Sequence, residues 1–347
     1  MSEIRDLLVN FLKADGLPFY DSLFSLCNGT ITVLEGESPR YRPVNSRGAR
    51  GGLLDFSTEE FTPLPLAVVP DLHARGGFLM HLLDYTCPVL GGSSALELLE
   101  EGKIRMVCVG DIFHSEGRCR DRWKLAWKKY YRNDFECAEM VEEMRENLSL
   151  LKMLFTLKTL FPEHFHILKG NHENINNESE NGNFGFRKFA DEGNMVYDFM
   201  ASQYDEALIH LIDCFEKALP LCAMFPECVV SHAEPLYVYG RQEIIERMSE
   251  VTEGLTWTAN DNAEEGSVVG TMKNLYGAKY DERILWFAGH RPISGKYALR
   301  QGGRFVQIHN PNEENVVILR PRERIDLEKD IYAVGCPFNQ AAIEAQQ

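Results

Sequence analysis

Residues 165–174 read Phe165-His166-Ile167-Leu168-Lys169-Gly170-Asn171-His172-Glu173-Asn174, an apolar run that stops at a glycine and then presents an amide, an imidazole and a carboxylate. Alone, Gly-Asn-His-Glu also describes a turn followed by a helix cap. Its weight comes from its surroundings. Four other short apolar runs end in the same kind of chemistry. Leu66 to Val69 leads to Asp71-Leu72-His73, and Met106 to Val109 leads to Gly110-Asp111. Cys228 to Val230 leads to Ser231-His232, and Ile284 to Phe287 leads to Gly289-His290. Taken singly, an Asp-x-His is a surface pair and a Gly-Asp is a turn. Five such groups in order, each closing a strand-like run, point to one shared site. His81 and His210, in helical stretches, and His164 and His166, at a strand entrance, read instead as structural or surface residues.

Longer helical stretches separate the runs. Cys137 to Phe161 places Val141, Met144, Leu148, Leu151 and Phe155 on one helical face, and Pro162 stops it. Strand, helix, strand order predicts an α/β layered domain, whose ligands gather at the carboxyl ends of the strands. Phe305 to Ile308 and Val316 to Leu319 lie too close for a helix between them and predict an antiparallel pair. Residues 1–60 read as an N-terminal helix/hairpin extension: a helix, a turn at Asn28-Gly29, a strand-like run from Thr30 to Leu34, and a Gly/Arg/Ser loop. Residues 61–322 form the main domain and 323–347 a tail.

Composition narrows the class. The formal net charge of -16 opposes non-specific binding to nucleic acid, which depends on neutralising phosphates with Lys and Arg. The nine cysteines are scattered, without a CxxC pair, and predict reduced, mostly buried thiols. No apolar run reaches the ~18 residues of a membrane span, and the N-terminus lacks the pattern of a secretory signal. A cytoplasmic protein without membrane partners is expected; the sequence is silent on oligomeric state.

The five groups carry carboxylate, imidazole and amide oxygen and no cysteine, a donor set for divalent Mn, Fe or Zn rather than for a soft metal. In order, PDLHARGG, VGDIFHSEG, LKGNHEN, VVSHAEP and FAGHRP resemble the motifs of the calcineurin-like metallophosphoesterases, and most closely those of the serine/threonine phosphoprotein phosphatase branch. LTWTAND (255–261) and RFVQIHNPN (304–312) resemble further segments of that branch, so the likeness spans residues 64–320.

The resemblance implies a four-layer α/β fold, a central β-sandwich flanked by helices on both faces. It implies two divalent metal ions: Asp71, His73 and Asp111 around the first, with Asp111 bridging to a second completed by Asn171, His232 and His290. A metal-bridging water would be the nucleophile, and His172 the general acid or electrostatic partner of the leaving group. The implied activity is that of a metal-dependent phosphatase acting on a phosphorylated substrate, a phosphoprotein or phosphopeptide. Dinucleoside polyphosphate hydrolysis is the alternative, because related bacterial enzymes resemble the same branch. A non-catalytic scaffold is the third reading, disfavoured because every ligand and His172 are present.

The chain also departs from the pattern. The branch places Asp and Arg three and four positions after its bridging Asp, and here those positions hold His114 and Ser115. His114 is therefore a candidate for direct substrate contact, and Arg118, Arg187, Arg247 and Arg291 are candidates for the phosphate clamp. Arg118 equally begins a solvated basic segment. Residues 118–136, rich in Arg, Lys, Trp and Tyr, look like an insertion. They read either as a cap over the site or as a helix with an aromatic face on the core and a basic face in water.

Overall fold

A computed structural model describes residues 2–335. The strands in the first half are β1 (Leu53–Asp55), β2 (Leu66–Val69), β3 (Arg105–Cys108) and β4 (Phe165–Ile167). Those in the second half are β5 (Cys222–Met224), β6 (Cys228–Ser231), β7 (Leu285–Ala288), β8 (Ala298–Arg300), β9 (Phe305–Gln307), β10 (Asn315–Leu319) and β11 (Ile331–Ala333). They form a five-stranded sheet, β11-β10-β2-β3-β4, and a six-stranded sheet, β1-β5-β6-β7-β9-β8.

Each sheet contains one parallel triplet: β2, β3 and β4 in the first, β6, β7 and β9 in the second. Their strands are mostly apolar and buried along nearly their whole length, because both faces are covered. Val68, Val107, Val230, Phe287 and Val306 fill the space between the sheets. Ala67, Val69, Met106 and Cys108 turn outward to a helical layer built from α1 (Glu3–Lys13), α2 (Tyr20–Gly36), α3 (Gly76–Asp84), α4 (Ala95–Glu100), α5 (Arg120–Tyr130), α6 (Ala138–Leu160), α7 (Glu192–Gln203) and α8 (Glu206–Ala218). On the other side Val229, Trp286 and Phe305 meet α9 (Arg241–Glu246), α10 (Ser249–Thr256) and α11 (Ser267–Tyr276). The four layers expected from the motifs are present.

Two expectations are corrected. Thr30 to Leu34 is not a strand but the C-terminal half of α2, and the N-terminal segment is a helix pair rather than a helix and hairpin. Its β-branched residues suggested a strand, but Leu23, Cys27, Thr30, Ile31 and Leu34 bury one helical face against the core, and packing overrides propensity. The Thr30 hydroxyl donates to the Leu26 carbonyl at 2.8 Å, a bond that only a helix offers. Nor does the extension end cleanly at residue 60, since β1 already belongs to the six-stranded sheet.

The second correction concerns β9 and β10, which do not pair. β9 bonds to β7 and β8, whereas β10 bonds to β2 and β11. Both strands turn apolar side chains into the same interior, so the connection crosses from one sheet to the other. The tail, whose placement the sequence leaves open, returns to the five-stranded sheet through α12 (Leu327–Asp330) and β11, while residues 336–347 lie outside the described residues.

The basic segment 118–136 contains α5. Trp123 and Ala126 are buried, while Arg122 reaches Glu146 at 3.0 Å and Lys129 reaches Glu139 at 2.6 Å. The aromatic face is on the core as expected, and these two cations are matched by acids of α6 and do not simply face water. No helix among the described residues is long and apolar enough to cross a membrane, and the described cysteines are all free.

Candidate metal centre

All five sequence groups emerge from the carboxyl ends of the two parallel triplets and meet at one edge of the sandwich. The turns that bring them there are tight. Asp111, His73 and His290 have φ of 51°, 43° and 62°, in the left-handed region that costs a non-glycine residue of order 1 kcal/mol or more. Close approach at this edge also explains Gly289: a Cβ there would run into the Asp71 carboxylate.

The four residues expected around a second metal converge. Asn171 Oδ1 lies 2.9 Å from His232 Nε2 and 2.9 Å from His290 Nδ1; the two histidine nitrogens are 3.2 Å apart. Asp111 Oδ1 stands 3.4 Å from His232 Nε2. Donors bound at about 2.1 Å and at right angles around one ion sit ~3 Å from one another. This spacing therefore fits a divalent ion.

Asp111 turns its other oxygen, Oδ2, toward His73 Nε2 at 3.5 Å. His73 Nε2 is in turn 3.8 Å from Asp71 Oδ2. One carboxylate thus faces two cradles, as a bridging ligand must. The remaining nitrogens of two imidazoles are occupied: His73 Nδ1 lies 3.3 Å from the Phe113 carbonyl and His232 Nδ1 3.0 Å from that of Val109. Those bonds fix the tautomers and leave Nε2 bare for a metal.

The electrostatics fit the same occupant. Burial pushes the His73 and His232 imidazoles down, to about 3 and about 4 respectively, so both are neutral donors near pH 7. Burial, Asp71 and Glu173 push the Asp111 carboxyl up. Such crowding of buried carboxylates calls for a cation.

Glu173, which the motif contained without a role, ties the strand ends together. Its Oε2 accepts from Asp111 N at 2.9 Å and Gly170 N at 2.7 Å, and its Oε1 accepts from Ile112 N at 2.8 Å. Glu173→Gln would turn one acceptor into a donor facing N–H groups. We expect it to weaken metal binding about 10–100-fold with the fold retained, as read by calorimetric titration beside circular dichroism.

His172 sits over the first cradle. Its Nε2 is 3.8 Å from Asp111 Oδ2, Phe186 stacks on its ring at 4.5 Å, and its buried Nδ1 has no protein partner. Burial, His73 and His114 push it well below the ordinary imidazole range. His114 lies behind the cradles, grouped with His73 and His172. It is fully buried, stacked on Trp123 at 4.9 Å with Nε2 3.5 Å from Glu192, because the bulky loop and helix around it close over its ring. It supports His172 from behind, at 5.2 Å between rings.

The candidate clamps separate. Arg118 is held by Glu146 at 2.9 Å, and Arg187 by Asp191 at 2.9 Å with most of its side chain in solvent. Arg247 bonds the Leu219 carbonyl, with its charge against that of Arg42 rather than beside the cradles. Arg291 stays at the centre: its charge contributes to the lowered pKa of His232 and of His290, and its Nε has no partner. Two cations not foreseen stand there as well. Arg75 donates to the Asp71 carbonyl at 2.6 Å, and Lys188 meets Glu116 at 2.8 Å. A cleft of about 780 Å³ lined by Phe56, Phe61 and Arg105 contains none of the cradle donors.

Searches with the sequence matched no family model and no curated protein. Among solved structures, the chain is similar to a protein serine/threonine phosphatase from Saccharomyces cerevisiae described as similar to human phosphatase PP5. Identity is 15%, the match covers 95% of this chain and 94% of that one, and the TM-score is 0.56. Weaker likenesses include a cold-active protein-tyrosine phosphatase of a Shewanella species (11% identity, 77% of each chain, TM-score 0.38). A putative diadenosine tetraphosphatase is similar at 12% identity, over 77% of this chain and 92% of that one, with a TM-score of 0.37. Together with the motif order and the paired cradles, the two-sheet sandwich identifies the fold of this chain as that of the calcineurin-like metallophosphoesterases.

Proposed function

We propose that the protein is a dinuclear metal-dependent phosphatase that acts on phosphomonoesters, with phosphoserine or phosphothreonine peptides as its substrate class. The observation that supports this best is Asp111, whose two oxygens face two separate donor cradles with His172 beside them. When bound, a pair of divalent ions supplies an acidified water and charge stabilisation for the phosphoryl oxygens. The imidazole-rich donor set suits Mn, Fe or Zn better than Mg or Ca.

The chain's own residues do the rest. Arg291, beside His232 and His290, offers a guanidinium to the phosphate. His172 offers an N–H to the leaving oxygen; the negative charge of a bound phosphate favours its protonation, offsetting the burial that keeps it neutral in the free protein. We expect His172→Asn to lower kcat by about 10²–10⁴ while metal content, measured by elemental analysis, stays at the wild-type value.

Turnover of an aryl phosphate, phosphoserine and phosphothreonine peptides, and dinucleoside polyphosphates tests the substrate class. Metal-dependent hydrolysis of the peptides is the expected result. A preference for dinucleoside polyphosphates by orders of magnitude would sink the phosphopeptide reading.

A further inference from the structure

The first cradle contains more donors than the three the motifs supply. His309 directly follows Ile308, at the carboxyl end of β9, the third strand of the second parallel triplet. It is fully buried, with Nε2 3.9 Å from Asp71 Oδ2 and 3.1 Å from Glu116 Oε2. Glu116, also buried, places Oε1 3.3 Å from His73 Nε2. Its backbone is held at φ 52°, a conformation that aims the side chain back into the cradle at an energetic cost. Asp71, His73 and His309 lie close enough together to hold one ion.

We infer that His309 and Glu116 are ligands of the first metal, giving that site two imidazoles and three carboxylates, Asp71, Glu116 and the shared Asp111. The second site has two imidazoles, one amide and only the shared carboxylate. The first site therefore holds its ion more tightly, because it has the larger negative charge and the larger donor count. The crowding of carboxylates here favours a metal cation as well. Asp71, Asp111 and Glu116 share one buried pocket, and Lys188, at 2.8 Å from Glu116, is the cation that salt-bridges Glu116 at the rim. The inference rests on the two-cradle reading above.

The test is stepwise titration of chelator-stripped protein with Co²⁺, followed by calorimetry and by visible absorption, which reports coordination directly. Two binding steps are expected for the wild type. In His309→Asn and in the isosteric Glu116→Gln, the tighter step should weaken at least about 10-fold and its absorption band should change, with the weaker step retained. Asp71→Asn is the control. If Asp71→Asn weakens the tighter step while folded His309→Asn and Glu116→Gln leave affinity and spectrum unchanged, the two residues form only a buried ion pair and the inference is overturned. If none of the three changes the titration, the cradle reading itself falls with it. Should His309→Asn fail to fold, Glu116→Gln decides alone.

Discussion

Asp111→Asn should slow metal-dependent phosphoester hydrolysis on the order of 10³-fold and reduce bound metal from two ions to one. The side chain keeps its shape, and its Oδ1 still accepts from His172 N, which it does at 3.0 Å, so the loop stays in place. What changes is the atom facing the first cradle: a carboxylate oxygen becomes an N–H group aimed at His73 Nε2, 3.5 Å away. The shared negative charge is lost at the same time. If the lost charge stabilisation is about 4 kcal/mol, a modest value for metal-assisted chemistry, the rate falls on the order of 10³-fold. Elemental analysis and phosphate release measured on the same sample check both halves. Two bound ions and an unchanged rate would refute the bridging role.

The second large effect concerns stability. Glu37, at the end of α2, lies in the interior with Oε1 2.5 Å from Lys158 Nζ and Oε2 2.6 Å from Arg42. His166 Nδ1 stands 3.4 Å from the same carboxylate. Replacing Glu37 with Ala leaves two buried cations without their counter-charge, and breaking such a pair from one side costs about 3–5 kcal/mol. Urea unfolding monitored by circular dichroism should show the loss as a lower midpoint. The pH dependence has a definite sign. Burial raises the Glu37 carboxyl, but Lys158, His166 and Arg42 outweigh it and hold the group far below the carboxylate range. Its contribution is therefore complete above the ordinary Glu value near ~4.3 and is lost as pH falls below that value toward the folded one. The variant should lack this acid-side slope.

The donor-rich edge is legible because scarce chemistry recurs there at one structural position. Each of the five groups follows a strand, and the parallel triplets carry all of them to the same end of the sandwich. The same rule would have found His309: Phe305 to Ile308 was recognised as a strand, and the residue after it is a histidine. It went unweighed because no glycine or aspartate marks its turn. Glu116 was hidden for a different reason. Its backbone turns through a left-handed conformation that no glycine announces, so its direction cannot be read from spacing. Lys188 reaches Glu116 from a loop 72 residues further along the chain. Within that loop Asn174 donates to the Glu178 and Phe184 carbonyls at 2.9 and 3.0 Å.

The errors in the fold have a common cause as well. Thr30 to Leu34 and the β9–β10 connection were both judged by local preference, and both were decided by which layer needed apolar cover. Short antiparallel neighbours are the simplest outcome for two close strands, but a sandwich offers a second: stacking across the interior without sharing a hydrogen bond.

Each cradle takes residues from both sheets: Asp71 and Asp111 from one and His309 from the other around the first, Asn171 from one with His232 and His290 from the other around the second. Bound ions would act as rivets through the seam between two plates. Sliding one plate along the other would alter the gap between the rivets, and packing substitutions deep in the interior, at Val68 or Phe287 for instance, would be felt as altered chemistry many residues away. In this protein the filling between the sheets also sets the spacing of the two cradles.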